Sequence, residues 1–250
     1  MKSTLVLALL APLLAAPASA SSLADIEIYD RTAGRTLPVH RYQGRHYVAG
    51  EPGHEYQLVL RNRGGVRVLA VTSVDGVNVI TGETAAPEQS GYVLAPHGSL
   101  SVSGWRKSLD EVAAFYFTPH RNSYAARTGR PFDVGVVGVA LFREKTRCCE
   151  WFGERESDDL RDRAAGAPEP ASPELQSRRS ENKLGTGHGR REQSAARHVE
   201  FERAGESPDE ILTIYYDSRA NLVAQGVIPR DREVAQRRPR PFPGSFVPDP

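Results

Sequence analysis

The stretch from Gly64 to Glu83, GGVRVLAVTSVDGVNVITGE, commits the chain to antiparallel β structure more firmly than any other. β-Branched residues fill both arms, and Asp75-Gly76 between them suits a two-residue hairpin turn. The rest of the first half continues that rhythm. Asp25–Tyr29 alternates as a short strand. Leu37–Arg41 and Arg45–Val48 pair about Gln43-Gly44. Glu55–Asn62 places Tyr56, Leu58 and Leu60 on one face. Gly91–Leu94, Ser99–Trp105 and Val112–Phe117 follow as strands, with turn residues every eight to twelve or so positions, the spacing of a sandwich or barrel. Pro119–Pro131 reads as a polar loop. Phe132–Phe142, FDVGVVGVALF, is apolar on both faces and so predicts a central strand covered on each side.

Ahead of this block, residues 1–20 combine Lys2, an apolar run from Leu5 to Ala16 and the small residues Ala18-Ser19-Ala20. That order predicts a signal peptide cut after Ala20. The run is shorter than the roughly 20 residues a spanning helix needs, so no membrane insertion is expected after cleavage. The expected compartment is periplasmic or secreted. Loss of Lys2 from the 32 Lys and Arg leaves basic residues in balance with the 31 Asp and Glu. Such a chain has no overall field to draw it to nucleic acid.

The two cysteines, Cys148 and Cys149, are adjacent. A vicinal disulfide closes almost no loop and contributes little to stability by chain entropy. Three readings stay open: an internal ring, bridges that make a disulfide-linked oligomer, or two inert thiols. The composition predicts a sandwich domain over residues 21–150, then a flexible polar linker over 151–195, too poor in large apolar groups to order itself by burial. A C-terminal β segment over 196–228, with strands at His198–Arg203, Glu210–Asp217 and Leu222–Ile228, is expected to complete or cover the sandwich. Three such strands alone make a poor domain. A Pro-rich tail over 229–250 follows, in which Arg237–Arg240 is either a solvated run or a peptide docking motif.

Chemistry is sparsely marked. In LGTGHGRRE, Leu184–Glu192, the residues Gly185, Gly187 and Gly189 alternate with Thr186, His188 and Arg190. As a loop, this segment offers backbone N–H groups and the charges of Arg190 and Arg191 to an anion. It has neither the P-loop order nor the frame of a dinucleotide site. A solvated glycine loop is the plainer alternative. Trp105, Tyr92, Tyr116 and Tyr124, with Arg106 and Arg121 near them in sequence, make either core or an aromatic platform for a sugar or peptide. Tyr124 and Arg121, in the polar loop, are the best placed to be exposed. The seven histidines show no metal-ligand spacing, although His97 or His120 with His188 remains possible in space. Asp75, Asn78 and Glu83 offer oxygen ligands for calcium, but Asp-Gly is sufficiently explained by the turn. Ser73 lies outside any nucleophile elbow. No cofactor is expected.

The blocks LAVTSVDGVNVITGE, GYVLAPHGSLSVSGWRKSLDEVAAFYF, DVGVVGVALF, LGTGHGRRE and IYYDSRANLVAQGVI resemble segments of uncharacterised exported proteins of Gram-negative bacteria. The resemblance implies no known activity and assigns no catalytic residue. It implies that the block after the linker belongs to the same module as the sandwich. The expectation is therefore an all-β, antiparallel sandwich of immunoglobulin-like or jelly-roll kind. Its expected role is noncatalytic, binding a protein or an envelope glycan through loops at one end. Two alternatives remain: a hydrolase or metal-assisted enzyme built on His188, and an assembly subunit.

Overall fold

A computed structural model describes residues 22–145 and 183–230. The expected signal peptide over residues 1–20, Cys148 and Cys149, most of the expected linker over 151–195 and the tail beyond Arg230 lie outside the described residues. Strands β1 (Ala24–Asp30) and β2 (Arg35–Thr36) come first, then β3 (Val39–Tyr42), β4 (Arg45–Gly50), β5 (Glu55–Asn62), β6 (Val68–Val74) and β7 (Val77–Asn78). Next are β8 (Tyr92–Leu94), β9 (Ser99–Val102), β10 (Gly104–Arg106) and the long β11 (Glu111–Pro119). A short helix, α1 (Tyr124–Arg127), precedes β12 (Val136–Arg143). The second block supplies β13 (Leu184–Gln193), β14 (Glu210–Ser218) and α2 (Arg219–Ala224).

The fold is all-β, two seven-stranded sheets packed face to face. One contains β1, β2, β5, β9, β10, β11 and β13. The other runs β3-β4-β14-β12-β6, with β7 and β8 both on the outer side of β6. Alternation explains the core. Tyr56, Leu58 and Leu60 of β5 point inward, against Val137, Val139 and Leu141 of β12 and Phe115 and Phe117 of β11, in one apolar cluster shared by both sheets. The opposite face of β12 is also covered. Ala140 and Phe142, with Leu69 and Val71, lie beneath Phe201 and the Arg203 guanidinium, whose carbon is 4.1 Å from the Phe142 ring centre.

The two hairpin turns form as the sequence predicts. Gln43 and Gly44 take φ of 48° and 73°, and Asp75 and Gly76 take 52° and 70°, the left-handed pair that matches strand twist. Strand β5 occupies its expected span, Glu55–Asn62.

Elsewhere the structure corrects the reading. The linker expected over 151–195 is corrected at its end, where Leu184–Gln193 is a ten-residue strand along the whole of β11. Its glycines alternate with inward side chains, a period-two pattern hidden by residues usually met in turns. The C-terminal segment over 196–228 holds one strand where three were expected. Residues 194–203 instead form an irregular strap from β13 to β14, with a lone bridge at Arg203. Leu222–Ile228 begins in α2, because Ser218 caps a helix there by accepting from the Asn221 amide. Phe132 is 92 % exposed in a 3-10 turn, and the strand starts at Val136 after Gly135 at φ 91°. The pairing is not wholly antiparallel either. Strand β14 lies parallel to β4 and antiparallel to β12, so the C-terminal block completes the middle of the second sheet.

Candidate functional site

Strand β13 carries Gly185, Gly187, His188, Gly189 and Arg190 of the sequence-predicted ligand residues, and its first five residues lie between a buried polar cluster and an aromatic one. Its start is held by Asp217, which accepts from the Leu184 amide at 3.1 Å and from Asn221 at 2.7 Å. From there Leu184 and Thr186 are buried, and His188, of the same parity, is half-buried.

Thr186 belongs to the buried polar cluster. Its hydroxyl lies 2.5 Å from the Tyr56 hydroxyl and 2.6 Å from that of Tyr216, and its amide donates to Asp75 Oδ2 at 2.8 Å. Tyr216 donates to Asp75 Oδ1 at 2.5 Å, and the Gly135 amide donates to the same oxygen at 2.9 Å. Asp75 is thus the hub that joins the two sheets, bound directly by the Thr186 amide of β13 and the Tyr216 hydroxyl of β14, with Tyr56 of β5 linked to it through the Thr186 hydroxyl. Burial pushes its carboxyl from the ordinary 3.8 up to about 6, against the pull of the donors from Tyr216, Thr186 and Gly135. Burial, with Asp75 close by, also raises Tyr56 and Tyr216 well above the usual phenol range. The hairpin turn explains the backbone of Asp75 and leaves its side chain unexplained.

This arrangement also bears on the oxygen ligands that Asp75, Asn78 and Glu83 offer in sequence. Both carboxylate oxygens of Asp75 are committed inward, while Asn78 accepts from the Ile80 and Thr81 amides and donates to Gln89. Among the described residues, no three His, Cys, Asp or Glu are grouped to hold a metal. The His120 ring is engaged with the Pro131 carbonyl at 2.7 Å, and His97 occupies a turn at φ 54°.

Gly185, Gly187 and Gly189 are not an anion-binding loop. Gly187 stands opposite Tyr116, and a Cβ there would overlap the Tyr116 ring. A Cβ on Gly189 would meet the same ring and the Ala114 carbonyl, and one on Gly185 would meet Ser123 and Val134. The glycines let neighbouring side chains lie directly on the backbone of β13. Past His188 the strand bulges, with Gly189 and Arg190 opposite Ala114 alone. Arg190 then turns to Glu55 in a two-pronged pair at 2.9 and 3.1 Å, so it is not free for an anion.

His188 and Tyr124 do meet. Their rings are 5.5 Å apart, and both pack on Trp105, Tyr124 at 4.9 Å and His188 nearly parallel at 6.3 Å. Trp105 is 3 % exposed and held edge-on by Phe115 at 4.8 Å. Among the described residues its indole nitrogen is the one buried side-chain polar atom without a hydrogen-bond partner. Burial is the main reason the His188 imidazolium is disfavoured, and the charges of Lys107, Arg127 and Arg191 add to it. At neutral pH His188 is therefore a neutral ring. Arg121 is exposed in the turn before α1 and has no ring contact in this cluster.

The arrangement offers two half-exposed rings on a rigid buried indole, surrounded by cations. Sequence reasoning picked Tyr124 and His188 but had no means of joining them. It did not join Asp75, Tyr56, Thr186 and Tyr216 into one cluster, since a turn aspartate and inward strand residues look like ordinary fold. The one available signal was the inward parity of Tyr56, whose hydroxyl needs a partner once buried. The chain matches no protein family, no curated protein and no solved structure.

Proposed function

We propose that the protein is an exported, noncatalytic binding module that takes an acidic envelope glycan at the Tyr124–His188 end of the sandwich. The observation that carries this is the meeting of Tyr124 and His188, from opposite sides of the linker, over the buried Trp105. Flat rings backed by a fixed indole suit the apolar face of a sugar, and Lys107, Arg127 and Arg191 supply charge for its carboxylates. Compartment and export rest on the signal-like first 20 residues. The noncatalytic reading is favoured by the surroundings of His188. Its charged neighbours are cations, and among the described residues no carboxylate orients its ring as a general base requires.

The test is a calorimetric titration with a uronic-acid oligosaccharide and its neutral counterpart. Tyr124→Ala is expected to weaken binding of the acidic sugar by roughly tenfold, the scale of one lost ring contact. Lys107→Ala is expected to narrow the preference for the acidic over the neutral sugar. Equal binding by wild type and Tyr124→Ala overturns the proposal, as does no binding of either sugar.

A further inference from the structure

A second feature lies elsewhere, beneath the irregular strap of residues 194–203. The strap is fastened at both ends by arginines whose partners are uncharged. Arg106 donates to Ser194 O at 2.6 Å, Ser194 Oγ at 3.0 Å and the Tyr92 hydroxyl at 3.0 Å. Arg203 donates to the carbonyls of Pro87, Glu88 and Gln89 at 3.0, 3.1 and 2.8 Å. Between these fastenings the strap bridges the seam where β8 and β9 approach, leaving a groove of about 730 Å³. That volume falls within the ~300–1,000 Å³ typical of ligand clefts.

The charge in this groove is one-sided. Four arginines line it against the single acid Glu88, and among the described residues only Arg67 of the four has a carboxylate partner, Glu144. Arg197 makes no ion pair with any described residue, and His198 beside it also lines the groove. Hydrogen bonds to carbonyls satisfy the geometry of Arg106 and Arg203 without neutralising them, so a net positive field remains in a chain whose total charge is close to zero. The apolar lining is mainly aliphatic: Leu69, Ile80, Leu100, Leu109 and Val199, the last two 43 % and 44 % exposed. Tyr92, the ring that a sugar would need, is covered by the Arg106 guanidinium 5.7 Å from its centre. Aliphatic walls with unneutralised guanidinium groups suit a peptide with acidic and aliphatic side chains better than a sugar.

We infer that the strap groove is a binding site for a short acidic, aliphatic peptide segment of a partner protein. Carboxylates of the segment meet Arg197 and the outer faces of Arg106 and Arg203, and its aliphatic side chains cover Leu100, Leu109 and Val199. The strap is the element that gives way to admit it, because between Arg197 and Val199 it makes no backbone hydrogen bond with the rest of the described chain.

The experiment is a fluorescence-polarisation titration of the full chain with a labelled blocked hexapeptide of alternating Glu and Leu, against its Lys-Leu counterpart. Preferential binding of the Glu-Leu peptide, with affinity falling steadily as salt rises, is the expected result. Arg197→Glu reverses an exposed charge that makes no ion pair among the described residues, and is expected to weaken binding by roughly fivefold. Tyr124→Ala, at the other site, is expected to leave it unchanged. Equal affinity for the two peptides, no binding of either, insensitivity to Arg197→Glu, or loss of binding in Tyr124→Ala each overturns the inference.

Discussion

Asp75→Ala is expected to cost about 3–5 kcal/mol of folding stability at neutral pH, the range for breaking a buried, fully hydrogen-bonded charge site. Three buried donors, the Gly135 and Thr186 amides and the Tyr216 hydroxyl, lose their acceptor together. Alanine also takes over a residue at φ 52°, where aspartate and asparagine are tolerated better. Asp75→Asn separates these effects. Its oxygen still accepts from Gly135 and Tyr216, while its amide opposes the Thr186 N–H, so a smaller loss is expected.

The pH dependence has a definite sign. The folded carboxyl holds its proton up to about pH 6 and the unfolded one releases it near 3.8. Between those values the folded state binds more protons, so the stability this group contributes is greatest below pH 3.8 and falls as pH rises to 6. The difference is on the order of 3 kcal/mol. Urea unfolding of wild type and Asp75→Asn across pH 3.5–7 is the measurement. The cost of the substitution is expected to shrink as pH rises, and a cost that grows with pH contradicts the burial argument.

Phe117→Ala is expected to be as damaging by a different route, about 3–5 kcal/mol from lost burial and the cavity left behind. The Phe117 ring is fully buried, stacks on Tyr56 at 4.3 Å and tilts against Tyr216 at 5.5 Å. A Cβ on Gly50 would approach the same ring within 2.8 Å, which shows how closely the site is filled. This substitution removes no titrating group, so its cost in urea unfolding is expected to stay nearly level over pH 3.5–7. The contrast with Asp75→Asn identifies the carboxyl as the source of the slope. A Phe117→Ala cost below about 1 kcal/mol contradicts tight packing at this position.

Local chemistry made much of the fold legible. Asp75-Gly76 and Gln43-Gly44 named their turns, and the alternation of Tyr56, Leu58 and Leu60 named a half-buried strand. Where residue type and periodicity disagreed, residue type misled. Glycines at 185, 187 and 189 suggested a loop, whereas Leu184, Thr186 and His188 between them held the strand period. Leu222 and Val223 suggested a strand until the cap at Ser218 started a helix. The site was legible as residues and hidden as geometry. Tyr124 and His188 are neighbours only because β13 lies along β11, a pairing with long sequence separation that no local signal encodes. Asp75 was hidden for a related reason, since its acceptors are filled by Thr186 of β13, Tyr216 of β14 and Gly135 ahead of β12, all distant in sequence.

The parallel pairing of β14 with β4 bears on how the molecule comes into being. The last strand among the described residues sits in the middle of its sheet, between β4 near the beginning of the described chain and β12, which precedes residues 146–182. Until Glu210–Ser218 has been synthesised, both neighbours keep an open edge, and Val48, Val137 and Val139 have an unfinished layer. Contacts of such sequence separation form slowly, and open apolar edges invite pairing between chains in the meantime. Completion of this sheet therefore waits on Glu210–Ser218, and the greatest hazard to the described fold falls between the emergence of β4 and β12 and the arrival of that strand.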